Sequence, residues 1–515
     1  MNGRSHAQNA AAVRAEAIAT SRVHVVARRL TSSFAVYGSA NFGIRALNFL
    51  LILVYARYLR PYDYGIIYMA EIIAAFLIIG AGLSIDAALQ RLYFQHHHDA
   101  EELRSYLGST IRFGLVWMAG FLVLVLAFGG YVQSNLQHRV SVLFYPYVAM
   151  AVATATATQG TQYRLAVYLA ARRPRPYALL SLLLAVLTAA GCLYGVVVRR
   201  GGAIGMLKGK LVAAAITFLL AAWSMRSLLT ARFQWRFVRD SLSFSLPLVP
   251  HLAMAYGLVV ADRFILQHYR SLSEVGIYSL AYTFGMVMYL VTQSLSQAWL
   301  PIFFELADGG QDNRKMLGRI CSGLAIFLVG LACLGILLSP VLLHAFLDYR
   351  YLAAARLVPW IVMGYLFHAL FSLFQLSILQ AKRTVSVFVI SLIAFILNLA
   401  LNFAMVPRWG KDGAAWATTI AYGVEAIGAF LLAQRFFALS YRVREIFVAT
   451  VVASSCLWLT QSGWALRWYG LLLVLCTILT LALLMVIGRD DLREVFIVFR
   501  KARSREPRES PARNH

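Results

Sequence analysis

The feature that most constrains this chain is a succession of apolar stretches, each about as long as a lipid bilayer is thick. A helix needs about 20 apolar residues to cross a hydrocarbon core of about 30 Å. Backbone in lipid must satisfy its own hydrogen bonds, so these stretches predict α-helices. Sixty per cent of the residues are hydrophobic and 13% are charged, against about 25% charged in soluble domains. The sequence predicts fourteen spans, at residues 32–56, 64–88, 107–130, 141–160, 177–198, 203–224, 241–266, 275–300, 318–346, 352–380, 384–406, 413–437, 446–464 and 469–488.

The basic residues predict the orientation of the chain. With fourteen spans both termini lie on one face, and Lys and Arg are concentrated in the tails and loops of that face. The positive-inside rule therefore places both termini in the cytoplasm. One outer loop disagrees, because Arg199, Arg200, Lys208 and Lys210 fall on the other side. The Lys and Arg residues that give the formal charge of +25 lie mainly in the tails and loops of one membrane face. Membrane orientation therefore explains the charge, and no nucleic-acid partner is expected.

Two segments recur at nearly the same spacing. Tyr58–Ile66 (YLRPYDYGI) returns 211 residues later as Tyr269–Ile277 (YRSLSEVGI), which aligns Gly65 with Gly276 as a structural motif. A second echo pairs Ala171-Arg-Arg with Ala381-Lys-Arg, and Gly202-Ala with Gly413-Ala. The repeat predicts an all-α integral membrane protein with two pseudo-symmetric six-helix lobes around a central cavity, which is typical of transporters. The predicted segments are a cytoplasmic tail at 1–31, lobes at 32–225 and 241–437, two further helices at 446–488, and a cytoplasmic tail at 489–515.

Polar side chains recur at helical spacing inside the predicted spans. A charge at the bilayer centre costs about 2.5–3.5 kcal/mol on insertion scales, so such residues are expected to face a cavity or a partner. Stripes on helices of both lobes predict the walls of a hydrated cavity. The candidates are Asn41, Arg45 and Asn48 in the first span, Arg112 in the third, Tyr278, Tyr282, Tyr289 and Gln293 in the eighth, and His368 and Gln375 in the tenth.

The acidic residues inside the spans leave two interpretations open. Glu71 and Glu425 are candidates for proton or ion coupling, but each can instead neutralise a nearby arginine. For Arg45 the alternative to a cavity role is a buried pair with Glu71. Asp262 and Arg263 are adjacent on a helix, so their side chains are expected to point about 100° apart without facing one another, in an interfacial structural role.

Other polar residues are expected to be structural. Asn398, Asn402 and Thr418 fit hydrogen bonds between helices. The run His96–His98 lies beside acidic residues and fits a solvated loop. No metal site, cofactor or nucleotide motif is expected.

Three segments resemble one known family. They are Ala56–Gly65 with Gly80–Leu83; Leu246–Pro250 with Ala261–Leu266, Val275–Ser279 and Ala298–Pro301; and Leu397–Asn402 with Val406-Pro407 and Gly413–Thr418. In this order they resemble the bacterial polysaccharide (O-antigen and exopolysaccharide) flippases. These belong to the superfamily that includes the multidrug-and-toxin extrusion transporters and the peptidoglycan-precursor flippase.

The resemblance implies a transporter rather than an enzyme. It implies that the chain flips an undecaprenyl-pyrophosphate-linked oligosaccharide to the outer leaflet, by alternating access, for synthesis of surface polysaccharide such as the lipopolysaccharide O-antigen. The implied partners are this substrate, membrane lipids and a polysaccharide polymerase or other biosynthesis proteins. Two alternatives stay open: a multidrug/cation antiporter of the same superfamily, and a membrane-embedded polymerase or glycosyltransferase.

Overall fold

The computed structural model describes residues 43–135, 142–229, 232–307 and 311–462, and all secondary structure in these ranges is helical. The candidate Asn41, the predicted span 469–488 and both predicted tails lie outside the described residues. The helices are α1 (43–58), α2 (Pro61–Gly82), α3 (Ile85–His96), α4 (Ala100–Asn135), α5 (Ala149–Ala170), α6 (Pro174–Leu193), α7 (Gly202–Leu229), α8 (Trp235–Ser245), α9 (Leu248–Tyr269), α10 (Leu272–Ala307), α11 (Gln311–Phe346), α12 (Leu352–Gln380), α13 (Thr384–Phe436) and α14 (Val443–Gln461). A short irregular turn, Phe144–Val148, precedes α5, and a single π-helical turn, Tyr194–Val198, follows α6.

Within the described ranges, nine helices are long and apolar enough to cross a membrane, or up to ten if a bent pair at Trp235–Met254 and Val259–Tyr269 forms one span. The chain is therefore a multi-pass integral membrane protein. Each predicted span from the second to the thirteenth overlaps a described helix. The eleventh and twelfth spans are the two halves of α13. Many helices run past the predicted ends; α4 begins at Ala100 rather than residue 107 because the polar first turns stay helical outside the apolar stretch.

Several helices begin at a proline or end at a residue with a positive φ angle. Pro61 opens α2 and Pro174 opens α6, where a missing N–H costs nothing. After α5 and α12 the chain leaves the helix through Arg172 and Lys382, whose φ values are 53° and 57°. In both turns the next N–H donates to the carbonyl five residues back, at 2.9 Å from Arg173 and 3.1 Å from Arg383. The second sequence echo thus forms the same C-terminal capping turn twice.

The range Thr384–Phe436 is a helical hairpin rather than one span. At about 1.5 Å per residue its 53 residues would measure about 80 Å, far more than a bilayer core. The backbone breaks at Gly410, whose φ is 56°. Asn398 Nδ2 donates to Thr418 Oγ1 at 3.2 Å across the hairpin, so this predicted interhelical hydrogen bond is confirmed.

The described residues form two compact units. The first contains the described chain up to Leu59 and Met69–Gly257, and the second contains Arg60–Tyr68 and the described chain from Leu258. In the first unit α3, α4, α5, α7 and α8 enclose a core with the buried rings of Tyr106, Tyr163 and Phe237. In the second unit α12 is buried along most of its length and packs against α10, α11, α13 and α14.

The two copies of the first repeated motif meet within the second unit. A Cβ on Gly65 would lie 1.9 Å from the carbonyl oxygen of Leu272, and a Cβ on Gly276 would lie 2.0 Å from that of Pro61. Leu272 follows Pro61 by the same 211 residues that separate the glycines, so the contact is reciprocal. Only glycine allows the two backbones to approach this closely.

Candidate functional site

An interior cluster of charged and aromatic side chains lies in the second unit, on α9, α10, α12 and α13. We call it the aromatic–charged cluster; its members are Asp262, Arg263, Tyr278, Tyr282, Tyr289, Tyr365, His368, Tyr422 and Glu425. Five are buried, and Tyr282, Tyr289, His368 and Tyr422 are half-buried. The sequence pattern singled out every residue of the cluster, Tyr365 and Tyr422 only as members of the polar stripes on the tenth and twelfth spans.

The expectation that Asp262 and Arg263 do not face one another is wrong. Arg263 Nη1 lies 2.8 Å from Asp262 Oδ1, and both side chains are less than a tenth exposed. The same nitrogen donates to the carbonyl of Val259, one turn back, at 2.7 Å. The Cβ directions diverge as expected, but the long arginine side chain bends back along α9 and reaches the carboxylate. The pair is buried in the helix bundle.

Tyrosine rings cover this ion pair. The guanidinium carbon of Arg263 lies 4.3 Å from the ring centre of Tyr282 and 5.4 Å from that of Tyr278. The Tyr278 hydroxyl donates to Asp262 Oδ2 at 2.6 Å. Because a buried charge is tolerated when it is paired and hydrogen-bonded, Tyr278 and Arg263 together satisfy Asp262. Tyr278 is fully buried, so its role here is to hold the pair.

A second row of rings continues from Tyr282. Tyr365 lies 6.0 Å from Tyr282 and 5.6 Å from Tyr289, measured between ring centres. His368 then lies 6.2 Å from Tyr289 and 5.1 Å from Tyr422. Such offset ring contacts hold flat surfaces at fixed spacing.

The aromatic row ends at an acidic residue. His368 Nδ1 lies 3.5 Å from Glu425 Oε2, which is an ion-pair distance longer than a normal hydrogen bond. Ser391 donates to Glu425 Oε1 at 2.8 Å. The Glu425 side chain is 7% exposed and that of His368 is 24% exposed. The partner of Glu425 is therefore a histidine rather than an arginine.

In the first unit, Arg45 and Asn48 are exposed on α1. They lie on the side of the helix that carries the buried Tyr55, Ala56 and Leu59 further along. The side of α1 that is buried near Tyr55 is therefore exposed at Arg45.

Glu71 pairs with a lysine rather than with Arg45. Lys210 Nζ lies 2.5 Å from Glu71 Oε1, and the two side chains are 22% and 37% exposed. The assignment of Lys210 to an outer loop is wrong, because it lies within α7. The sequence could have indicated this position, because Lys210 falls inside the predicted span 203–224. A lysine within a span is unusual.

Arg112 makes contacts within the first unit. Its Nε donates to the Gly108 carbonyl at 3.2 Å, and its guanidinium lies 5.4 Å from the Phe233 ring centre. Gln293 and Gln375 are half-buried on α10 and α12. His96 ends α3 and pairs with Glu102 at 3.1 Å. Among the described residues, no group of three or more His, Cys, Asp or Glu could hold a metal ion.

Comparison with known proteins adds a family and a fold. The family model described as "Polysaccharide biosynthesis protein" matches residues 30–307, which is more than half of the chain. Among curated protein sequences, none matches this chain.

The solved structures with a similar fold are membrane transporters. One is the lipid II flippase MurJ in an inward closed conformation, with a TM-score of 0.63 and 16% identity, covering 88% of this chain and 99% of MurJ. Another is an inward-facing multidrug resistance MATE family transporter of the MOP superfamily, with a TM-score of 0.55 and 13% identity, covering 76% of this chain and 94% of the other. A third is the Vibrio cholerae MATE transporter VcmN, with a TM-score of 0.53 and 12% identity, covering 79% and 97%. At these identities the likeness concerns the fold alone.

Proposed function

Because the chain belongs to the polysaccharide biosynthesis protein family, we propose that it flips an undecaprenyl-pyrophosphate-linked oligosaccharide from the cytoplasmic to the outer leaflet. The family match is the observation that carries this proposal. The shared fold with MurJ, which is described as a lipid II flippase, supports it. The head group of such a substrate is anionic and rich in sugar, so it needs a polar path through the bilayer while its polyprenyl tail stays in lipid.

The proposed architecture has fourteen helices in the inner membrane, with both termini in the cytoplasm. Two pseudo-symmetric six-helix lobes surround a central cavity, two further helices follow, and the lobes rock to open the cavity to each side in turn. The reciprocal contact of Gly65 with Leu272 and of Gly276 with Pro61 supports the pseudo-symmetry. Membrane lipids and a polysaccharide polymerase are the proposed partners, and the product is a surface polysaccharide such as O-antigen or exopolysaccharide.

We assign the pyrophosphate contact to Arg45, with Asn48 beside it. Arg45 is exposed on the side of α1 that is buried further along the helix, and an arginine forms charge-assisted hydrogen bonds with phosphate oxygens. Tyr282 and Tyr289 offer half-buried ring faces to sugars. Arg112 is a weaker candidate because Phe233 and the Gly108 carbonyl already engage it.

The test compares Arg45→Ala and Arg45→Lys with Arg91→Ala, a control at an exposed arginine of α3. Membrane abundance is checked first, and surface polysaccharide is then measured in cells that depend on this protein. We expect the Ala variant to lose most function, the Lys variant to keep part of it, and the control to keep all of it. Full function of Arg45→Ala at normal abundance would remove Arg45 from the substrate path.

We assign ion coupling to Glu425 with His368. The carboxylate and the imidazole lie 3.5 Å apart, and the aromatic row connects them to Tyr289. Glu425→Gln keeps the shape and the hydrogen bond from Ser391 but removes the charge. Transport with an unchanged rate and unchanged pH dependence in this variant would exclude the coupling role. Glu71 is a weaker coupling candidate because Lys210 neutralises it.

A multidrug/cation exporter is the second candidate, favoured by the fold shared with two MATE transporters. A cation site needs an available carboxylate, and Asp262 already pairs with Arg263. Efflux of cationic dyes from vesicles that contain the purified protein would favour the exporter. Loss of surface polysaccharide without any change in dye resistance would favour the flippase.

A further inference from the structure

The stretch of chain that connects α7 to α8 has no role in the proposed transport path. It is tied to the start of α4 at two points. Arg104 Nε and Nη2 donate to the Ser227 carbonyl at 3.0 and 2.8 Å, and the Gln234 N–H donates to the Ser109 hydroxyl at 2.9 Å. Residues 232–234 are not helical, so this connection runs along the first turns of α4 before α8 begins.

The level of the connection in the membrane follows from the helix that holds it. The apolar part of α4 is predicted to begin at residue 107, and Ser109 lies two residues, or about 3 Å, inside it. The turn before residue 107 is polar and carries Glu101 and Glu102. A bilayer has about 30 Å of hydrocarbon and measures about 40–45 Å with its headgroups. The connection therefore lies where the headgroups meet the hydrocarbon.

Exposed apolar residues mark the lipid-facing side of α4. Six of them lie within about 140° of one another around the helix. They are Val116, Trp117, Val123, Leu124, Phe128 and Tyr131. Because lipid tails are as apolar as leucine, such a row along a membrane helix fits contact with lipid. We call it the apolar stripe of α4.

Two aromatic side chains of the connection and α8 adjoin this stripe. Phe233 is 46% exposed and Trp235 is 58% exposed. The ring centre of Trp235 lies 5.8 Å from that of Phe113, which stacks on Trp117 at 6.4 Å. Phe113 lies on the side of α4 that carries the apolar stripe. Tryptophan at the edge of a lipid-facing surface is typical of the membrane–water interface.

Arginines share the exposed side of α8 with this tryptophan. Arg236 and Arg239 are exposed. At 100° per residue Arg239 lies between Trp235 and Arg236 around the helix, about 40° from the tryptophan. The opposite side of α8 is buried through Phe237 and Val238. The helix therefore packs on the first unit with its apolar side and presents cations beside the aromatic ring.

The local charge is positive. Arg236 Nη2 lies 3.8 Å from Glu102 Oε1. Arg232 and Arg239 are exposed, and among the described residues no carboxylate pairs with either of them. The one acidic residue of α8, Asp240, is exposed and lies about 100° from Arg239 around the helix. The connection and α8 thus complement an anion at the membrane surface.

We propose that Arg232, Arg239 and Trp235 bind the headgroup of an anionic phospholipid. The guanidinium groups donate charge-assisted hydrogen bonds to its phosphate oxygens. The Trp235 ring lies between headgroup and hydrocarbon, and the acyl chains run along the apolar stripe of α4. In the proposed topology this is the cytoplasmic face, where anionic lipids give the membrane surface a negative potential. The occupant is a membrane lipid, so the site is independent of the transported substrate.

The first test asks which lipid touches Trp235. Purified full-length protein is placed in detergent micelles with phosphatidylglycerol or phosphatidylcholine whose acyl chains carry bromine, which quenches the fluorescence of a nearby tryptophan. We expect brominated phosphatidylglycerol to quench more at the same mole fraction, and Trp235→Phe to reduce this difference. Trp458→Phe, which removes a tryptophan that is 69% exposed on α14, is the matched control and should leave the difference unchanged.

The second test removes the charges. The double variant Arg232→Gln with Arg239→Gln is titrated with brominated phosphatidylglycerol, and melting is measured on the same samples. We expect half-maximal quenching to need about 10- to 30-fold more lipid, because each arginine near an anionic surface contributes about fivefold. Arg173→Gln with Arg175→Gln removes two exposed arginines at the start of α6 and should titrate like the wild type.

Three results would overturn the proposal. One is equal quenching of the wild type by the two lipids. Another is equal weakening in the two double variants, which would show diffuse attraction of anionic lipid to a basic protein. The third is an unchanged lipid difference in Trp235→Phe. If the Arg232 and Arg239 double variant does not fold, Trp235→Phe decides alone: a reduced difference supports the site, and an unchanged one overturns it.

Discussion

The reciprocal glycine contact between α2 and α10 makes the sharpest prediction about the fold. Replacing Gly65 with Ala would place a Cβ 1.9 Å from the Leu272 carbonyl oxygen, and replacing Gly276 would place one 2.0 Å from that of Pro61. An ordinary carbon–oxygen contact is about 3.3 Å or longer, so the helices must separate by roughly 1.3–1.4 Å. The opposing atoms are backbone and cannot rotate aside.

We expect each single variant to lose about 1–3 kcal/mol of stability, and more if the shift spreads along both helices. The double variant should lose less than the sum of the singles, because one separation of the helices relieves both clashes. The assay is thermal unfolding in detergent at a fixed scan rate, reported as apparent melting temperature because unfolding of such proteins is often irreversible.

Gly80→Ala is the matched control on α2, because a Cβ there would meet nothing within 4 Å. Alanine is a better helix former than glycine, so this variant should be neutral or up to about 1 kcal/mol more stable. A Gly65→Ala protein that melts at the same temperature as Gly80→Ala would refute the close crossing of α2 and α10.

Three further predictions concern the second unit. Asp262→Asn or Arg263→Gln should each destabilise the protein by about 3–5 kcal/mol, because the other charge stays buried without its partner, and the double variant should recover part of this loss in melting experiments. Gly410→Ala should cost about 1–3 kcal/mol, since its φ of 56° and a carboxylate oxygen 2.2 Å from the added Cβ both disfavour a side chain. The pKa of Asp348 lies below its usual value because Arg350 donates side-chain and backbone hydrogen bonds to the carboxylate. Asp348 therefore stabilises the protein above the ordinary aspartate pKa of about 3.9 and loses that contribution as pH falls through the lower folded value, so Asp348→Asn and wild type should melt at more similar temperatures below about pH 4.

Membrane character and helix positions could be predicted from the sequence because both depend on local properties. Hydropathy decides which residues enter lipid, and lipid then requires a helix. The repeat was also visible, because the glycines and the capping turns need particular residues at particular places. Gly65 and Gly276 were found in this way, although the sequence does not say that they touch.

The pairing of charges was the part that sequence reasoning missed. Asp262 and Arg263 were judged by the directions of their Cβ atoms, but a flexible arginine side chain reaches back over one residue when burial makes the ion pair favourable. Lys210 was assigned to a loop, although its pairing with Glu71 joins helices 139 residues apart. The chain order carries no sign of such a contact.

The sequence by itself determined that this protein crosses a membrane many times, where its helices run, and which polar residues are out of place in lipid. The tertiary structure alone decided which of those residues meet. The physical reason is that transfer into lipid is a property of each segment, whereas an ion pair forms only where two segments bring opposite charges within a few ångströms.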